Sequence, residues 1–174
     1  MVSRSVWARG GLAAVLFMAA ILAAAPDGYP EVVASINGRD ISGAALARRV
    51  AQSRSMDSER FGRMTAEERR QATRRVLRAM VLEEVEYQEA VRRGLTVDDA
   101  EIEELLDREI KRYGSRAAFA QTLATGEITI DEWKRDTRRR LVIAKLERAE
   151  PGSHQRAAWL RSLTGAARIT LWSP

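Results

Sequence analysis

The polar and apolar positions of the chain change period along its length, and each change predicts a different element. Residues 10–25 form one uncharged run of Gly, Leu, Ala, Val, Ile, Phe and Met. After a Pro- and Gly-bearing lead at 26–30, Glu31-Val-Val-Ala-Ser-Ile36 and Arg39-Asp40-Ile41 stand as two short extended runs around Asn37-Gly38. That dipeptide supplies the two positive φ angles of a type I′ turn, so the pattern predicts a β-hairpin. A lone hairpin is marginal in water and needs something to dock on.

From Ser42 to about Thr164 the period is helical, with Ser42 placed to cap a first helix through about Gln52. Three later helices begin alike: Thr65-Ala-Glu-Glu68, Thr96-Val-Asp-Asp99 and Thr129-Ile-Asp-Glu132 each set a hydroxyl three residues before a carboxylate. The hydroxyl accepts from a free first-turn amide while the acid lies near the positive end of the helix dipole. The helix after Thr65 is expected to reach Arg93, with Gly94 as its left-handed stop. Its apolar stripe is Ala72, Val76, Met80, Tyr87 and Val91, widened by Leu77, Val81 and Val85. A helix over residues 97–113 is expected to bury Ile102, Leu105, Leu106, Ile110 and Tyr113, and a short one covers 115–124. The helix after Thr129 carries Trp133, Thr137, Leu141 and Ala144 on one face and fades near Glu150-Pro151-Gly152. A last helix over 155–164 presents Ala158, Trp159 and Leu163, and residues 167–172 then alternate as a strand does. That closing strand is the natural partner of the hairpin. The expected fold is mostly α: a compact multi-helix domain with a small β-sheet made from the N-terminal hairpin and a C-terminal strand.

The uncharged run follows Arg4 and Arg9 and closes on Ala23-Ala24-Ala25 before Pro26, which is the layout of a secretory signal peptide. Residues 1–25 are therefore read as a signal, and 26–174 as a single domain with a helical core at 42–149 and a returning segment at 153–174. The expected location is the periplasm; an uncleaved run would instead be an inner-membrane anchor. The run is shorter than the about 20 residues a spanning helix needs. No cysteine follows it, so a lipoprotein anchor is excluded.

With no cysteine, stability must come from packing rather than disulfides. The 26 arginines against three lysines fit a codon bias as well as a role in anion binding. His154 is the one histidine, beside a Pro-Gly break, so zinc of the usual ligand sets and Cys/His catalysis are both excluded. A Ser/His/Asp triad would have to use His154, and no nucleophile-elbow motif is present. No cofactor is implied.

Carboxylates crowd at Glu83, Glu84, Glu86, Glu89 and again from Asp98 to Asp107. Converging acids can do acid/base work or hold calcium; at helical spacing among arginines they read as solvated faces and dipole complements. Basic runs at Arg69, Arg70, Arg74, Arg75, Arg78 and at Lys134, Arg135, Arg138, Arg139, Arg140 could face an anionic surface. Both have acidic neighbours, and an exported chain seldom meets nucleic acid. One segment has no clean period: Met56, Phe61 and Met64 lie in it among Ser, Asp, Glu, Arg and Gly. Flexible thioethers and an aromatic suit a surface that accepts varied apolar peptides, and they equally suit a cover over the core.

Three stretches together resemble the N-terminal chaperone domain of the SurA and PrsA type of exported foldases. They are Val33-Ala-Ser-Ile-Asn-Gly-Arg-Asp-Ile-Ser42, Leu82-Glu-Glu-Val-Glu-Tyr-Gln-Glu-Ala-Val-Arg-Arg-Gly-Leu-Thr-Val-Asp98 and Arg138-Arg-Arg-Leu-Val-Ile-Ala-Lys-Leu146. The likeness spans residues 31–149, and the segment from Trp159 to Trp172 is similar to the family's returning C-terminal piece. In that family a parvulin-type prolyl isomerase domain usually separates the two. Here about a dozen residues join Leu146 to Trp159, so no isomerase domain fits and no family catalytic residue has a position to occupy. The resemblance implies a non-enzymatic chaperone for unfolded or partly folded exported polypeptides such as outer-membrane proteins. Membrane contact is expected only through an uncleaved signal, and the oligomeric state is left open. The alternatives are a dedicated adaptor in an envelope complex and, third, a prolyl isomerase. Met56, Phe61 and Met64 are the candidate client contacts.

Overall fold

The computed structural model describes residues 28–56, 58–150 and 153–172. The expected signal with its cleavage point after Ala25 lies outside the described residues, as do the side chains of Met56 and His154. In chain order come β1 (Val32–Ile36), β2 (Arg39–Ser42), α1 (Gly43–Met56), α2 (Ser58–Arg63) and α3 (Ala66–Arg92). They are followed by α4 (Asp99–Tyr113), α5 (Arg116–Ala124), α6 (Ile130–Ala149), α7 (Ser153–Ala166) and β3 (Ile169–Leu171).

The hairpin turns where Asn-Gly predicts, with φ +52° at Asn37 and +85° at Gly38. Its support is the closing strand: β3 pairs antiparallel with β1, Ile169 opposite Ile36, giving the order β2-β1-β3. Asn37 also joins the ends of the domain. Its amide donates to the Arg168 carbonyl and its Oδ1 accepts from the Arg168 amide, both at 2.9 Å, while its Nδ2 donates to Gln88 at 2.7 Å. Tyr29 and Trp172 meet edge to face, ring centroids 5.9 Å apart. The mostly α fold with a small sheet built from both ends is thus the observed one.

Two apolar cores share α3. The first lies under the sheet, where Val33, Ala34, Ile36 and Ile41 meet Leu46 and Val50 of α1 and Leu77, Val81 and Val85 of α3. The second is helical, with Ala90, Val97, Ile102, Val142 and Leu146 packed beside Tyr87, Leu95, Leu141 and Trp159. Fully buried side chains such as Ile36, Leu46, Ile102 and Leu146 contribute about 1.5–3 kcal/mol each. Gly43 is required at the junction of sheet and α1: its amide donates to the Glu31 carbonyl at 3.0 Å, and a Cβ there would collide with the Pro30 carbonyl oxygen.

Local signals decide most helix starts and stops. Ser42 accepts from the Ala45 amide at 3.2 Å, and complete capping boxes form at Thr65 and Thr129. The third expected box does not form. Val97 is drawn into the helical core and the Thr96 carbonyl accepts from Lys145 Nζ at 2.9 Å, so α4 starts later, on Asp98 without a side-chain cap. The first helix runs past Gln52 to Met56, and the aperiodic segment after it is the short helix α2. It lacked an apolar period because α2 has no buried residue and is held by polar contacts, among them the Arg63–Glu59 pair.

The buried faces also differ from the expected stripes. In α3 the deepest line is Leu77, Val81 and Val85, with Val76, Met80 and Tyr87 partly covered, while Val91 is 53% exposed. In α6 it is Val142, Ile143 and Leu146 rather than the Trp133 side, because those three face α3 and α4. Tyr113 is 40% exposed and rests against Phe119, which Trp133 meets edge to face at 5.5 Å.

Candidate binding clefts

Phe61 and Met64 are both half-buried, and they open onto different grooves. Phe61 lines a groove of about 320 Å³ with Tyr29, Val50, Arg54, Arg69 and Thr73, and the Arg54 guanidinium sits 5.8 Å from its ring centroid. Met64 lines a wider one of about 510 Å³ whose other walls are charged: Glu59, Arg60, Arg63, Glu68 and Arg75. A single apolar patch formed by the two does not exist. α2 puts its ring and thioether neighbours on separate sides of one short turn.

Two further openings lie where no local motif marks them. The outward face of α1, carrying Ala45, Arg48, Arg49 and Gln52, stands across from Glu127, Ile128, Glu132 and Arg135 of the α5–α6 turn, with Met80 of α3 at the base. This cleft of about 330 Å³ adjoins another of about 420 Å³ between Ala47, Ala51 and Ser55 and the backbone turn Thr125-Gly126-Glu127. Arg48, Gln52 and Glu127 border both. Small alanines on α1 leave the space; the i, i+4 partners Leu46 and Val50 point the other way into the core. Glu127 has φ +56°, a left-handed conformation that costs a non-glycine residue roughly 1 kcal/mol. Arginine and carboxylate groups rim an interior of Ala, Met, Ile and Gln, which suits extended peptide with mixed side chains rather than one small molecule.

Of the acids expected to be solvated, Asp98, Asp99, Glu103, Glu104 and Asp107 are exposed, and three on α3 are not. Glu84, Glu86 and Glu89 on α3 are each less than a tenth exposed. Glu84 accepts from Arg139 of α6 at 2.6 Å and from Gln88 at 2.8 Å, and Arg39 of the hairpin lies 3.5 Å away. Gln88 also donates to the Ile36 carbonyl at 3.1 Å, and Arg139 covers the Tyr87 ring at 4.2 Å. Glu89 accepts from Arg92 at 2.7 Å and Arg93 at 2.6 Å, whose hydrogen bonds hold its carboxyl down at about 2. Glu86 is the opposite case: burial, then the Glu147 charge, push its carboxyl above the ordinary range, with Arg156 of α7 at 3.3 Å as a partial offset. Sequence could not find the Glu84 and Glu86 pairings, since Arg139 and Arg156 lie more than 50 residues away; the partners of Glu89 are three and four residues further along the chain. Every buried side-chain polar atom among the described residues is hydrogen-bonded. Among the described residues no group of three or more His, Cys, Asp or Glu converges as a metal site.

A sequence model described as the SurA-like N-terminal domain matches residues 3–134, three-quarters of the chain. The chain belongs to that family. The family is of chaperone type, and no parvulin domain family matches. In this SurA-like chain the match includes the hairpin, α1–α5, the uncharged run at 10–25 and the groove residues named above except Arg135. It ends in the first turns of α6, so the stretch from Arg138 to Leu146 and the returning segment lie beyond it. No curated protein matches the sequence.

Proposed function

We propose that this SurA-like chain is a non-catalytic periplasmic holdase that binds unfolded exported polypeptides, outer-membrane proteins among them, in the paired clefts between α1 and the α5–α6 turn. The two adjoining openings carry the reading, because they share Arg48, Gln52 and Glu127 and together offer mixed walls in a chain of chaperone-type family. Weak contacts at many points favour release without an energy source, since the ordering cost on binding offsets most of the gain. Phe61 and Met64, in their own grooves, and Met56 would be separate secondary contacts. Periplasmic placement rests on the signal-like residues 1–25.

A second reading has its own observation. The exposed large apolar side chains among the described residues are Val32, Val91, Tyr113 and Leu171, and they come from separate elements apart from the strand neighbours Val32 and Leu171. So sparse an apolar surface suits an adaptor with one dedicated partner. Aggregation of an unfolded outer-membrane protein, followed by light scattering with and without the purified chain, separates the two. Suppression near equimolar chain is expected for the holdase. No suppression at stoichiometric excess, with one defined partner in a crosslinked pull-down, would replace it by the adaptor.

A further inference from the structure

The two basic runs look alike in sequence and are unlike in the fold. In the α6 run three of the five cations pair with other helices, Lys134 with Glu103 at 2.5 Å, Arg139 with the buried Glu84 at 2.6 Å and Arg138 with Asp99, while Arg135 and Arg140 are exposed. At the end of α1, in α2 and in the first half of α3 the arginines face outward, Arg63 and Arg70 paired with Glu59 and Glu67 of their own helices. Arg54, Arg60, Arg63, Arg69, Arg70, Arg74, Arg75 and Arg78 are all exposed. Among the described residues no carboxylate lies within ion-pair distance of Arg69, Arg74 or Arg78. Residues 54–78 hold eight arginines against four acids, while the remainder of the chain from Gly28 on is balanced, 19 basic against 19 acidic. The net charge of the domain therefore resides on this one face.

The chain also enters the domain there. Tyr29, at the start of the described residues, lines the same groove as Phe61, Arg54, Arg69 and Arg70, and the uncharged run of residues 10–25 lies shortly before it in sequence. We propose that the arginine face of α2 and the N-terminal half of α3 docks the protein on an anionic phospholipid surface. Guanidinium groups bind lipid phosphate through paired N–H donors, and a basic cluster adds attraction residue by residue near a negative membrane. The half-buried Phe61 and Met64 at the edge of the face reach the acyl boundary as interfacial side chains do. Nucleic acid fits less well, because the ring on this face is already covered by Arg54 and no run of open rings offers a stacking platform. The proposal is independent of client binding in the α1 clefts.

The test is vesicle flotation of the full chain with phosphatidylcholine alone and with half phosphatidylglycerol, comparing the two affinities so that binding by the apolar run cancels. The chain is expected to prefer the anionic vesicles at least about a hundredfold, and the preference to vanish at about 1 M salt, where screening reaches about 3 Å. The triple variant Arg69→Gln, Arg74→Gln, Arg78→Gln is expected to lose about fivefold per arginine, roughly a hundredfold in all. A control triple, Arg108→Gln, Arg116→Gln, Arg161→Gln, removes as much charge elsewhere and is expected to change the ratio less than about threefold in all. Circular dichroism melts report that both variants fold. Absence of an anionic preference, equal loss in both triples, or tighter binding of RNA than of anionic vesicles would each overturn the proposal.

Discussion

The two halves of α3 carry opposite charge and do opposite work. Its first half presents Arg69, Arg74, Arg75 and Arg78 to solvent, and its second half buries Glu84, Glu86 and Glu89. The buried half gathers the domain, since its carboxylates and Gln88 reach the hairpin, α6 and α7 through Arg39, Arg139, Arg156 and the Ile36 carbonyl. The exposed half touches the grooves beside α1 and α2 and is free to vary in what it binds. One continuous helix thus separates framework from surface, with the two apolar cores meeting along it.

The comparison breaks most readily at Glu84. Glu84→Ala removes the acceptor for two cations from a buried site and is expected to cost about 3 kcal/mol in urea unfolding, against less than about 0.5 for Arg74→Ala. Equal effects would dissolve the distinction between the halves. Glu89 sharpens it through pH. Its folded carboxyl lies at about 2, below the ordinary 4.5, so its contribution is complete above 4.5 and is lost as pH falls toward 2. Glu89→Gln is expected to cost at most about 3 kcal/mol at neutral pH and to flatten that acid limb. Glu86 has the reverse sign. Its folded carboxyl is raised, so the ionised form is a burden at neutral pH that eases as pH falls through the raised value. Glu86→Gln is expected to be neutral or stabilising by up to about 1 kcal/mol, since Arg156 keeps Glu147 as a partner. The smallest effect belongs to the cleft: Glu127→Gly relieves a left-handed backbone and is expected to shift stability by less than about 1 kcal/mol in the stabilising direction. A large loss there would make Glu127 part of the framework.

What the sequence revealed was local. Asn37-Gly38, the alternation at 167–172 and the boxes at Thr65 and Thr129 each act within a few residues, and the hairpin, closing strand and helix starts follow from them. The box at Thr96 failed because a distant demand, burial of Val97, outweighed a cap worth about 1 kcal/mol. The buried acids were misread for the same reason: a helical repeat of Glu looks solvated until Arg139 and Arg156 arrive from other helices. Of the candidate contacts, Phe61 and Met64 do border openings, but on different sides of α2. The α1 clefts were illegible because they are the space left between α1 and a turn some 75 residues later, not a motif in either.

On the proposed function, client binds on the α1 side, and the second half of α3 and the end of α4 are framework. Photo-crosslinking side chains placed singly at Gln52, Glu127, Val91 and Tyr113 test this directly against an unfolded outer-membrane protein. Crosslinks concentrated at Gln52 and Glu127 are predicted. Equal or stronger crosslinking at Val91 and Tyr113 would contradict it.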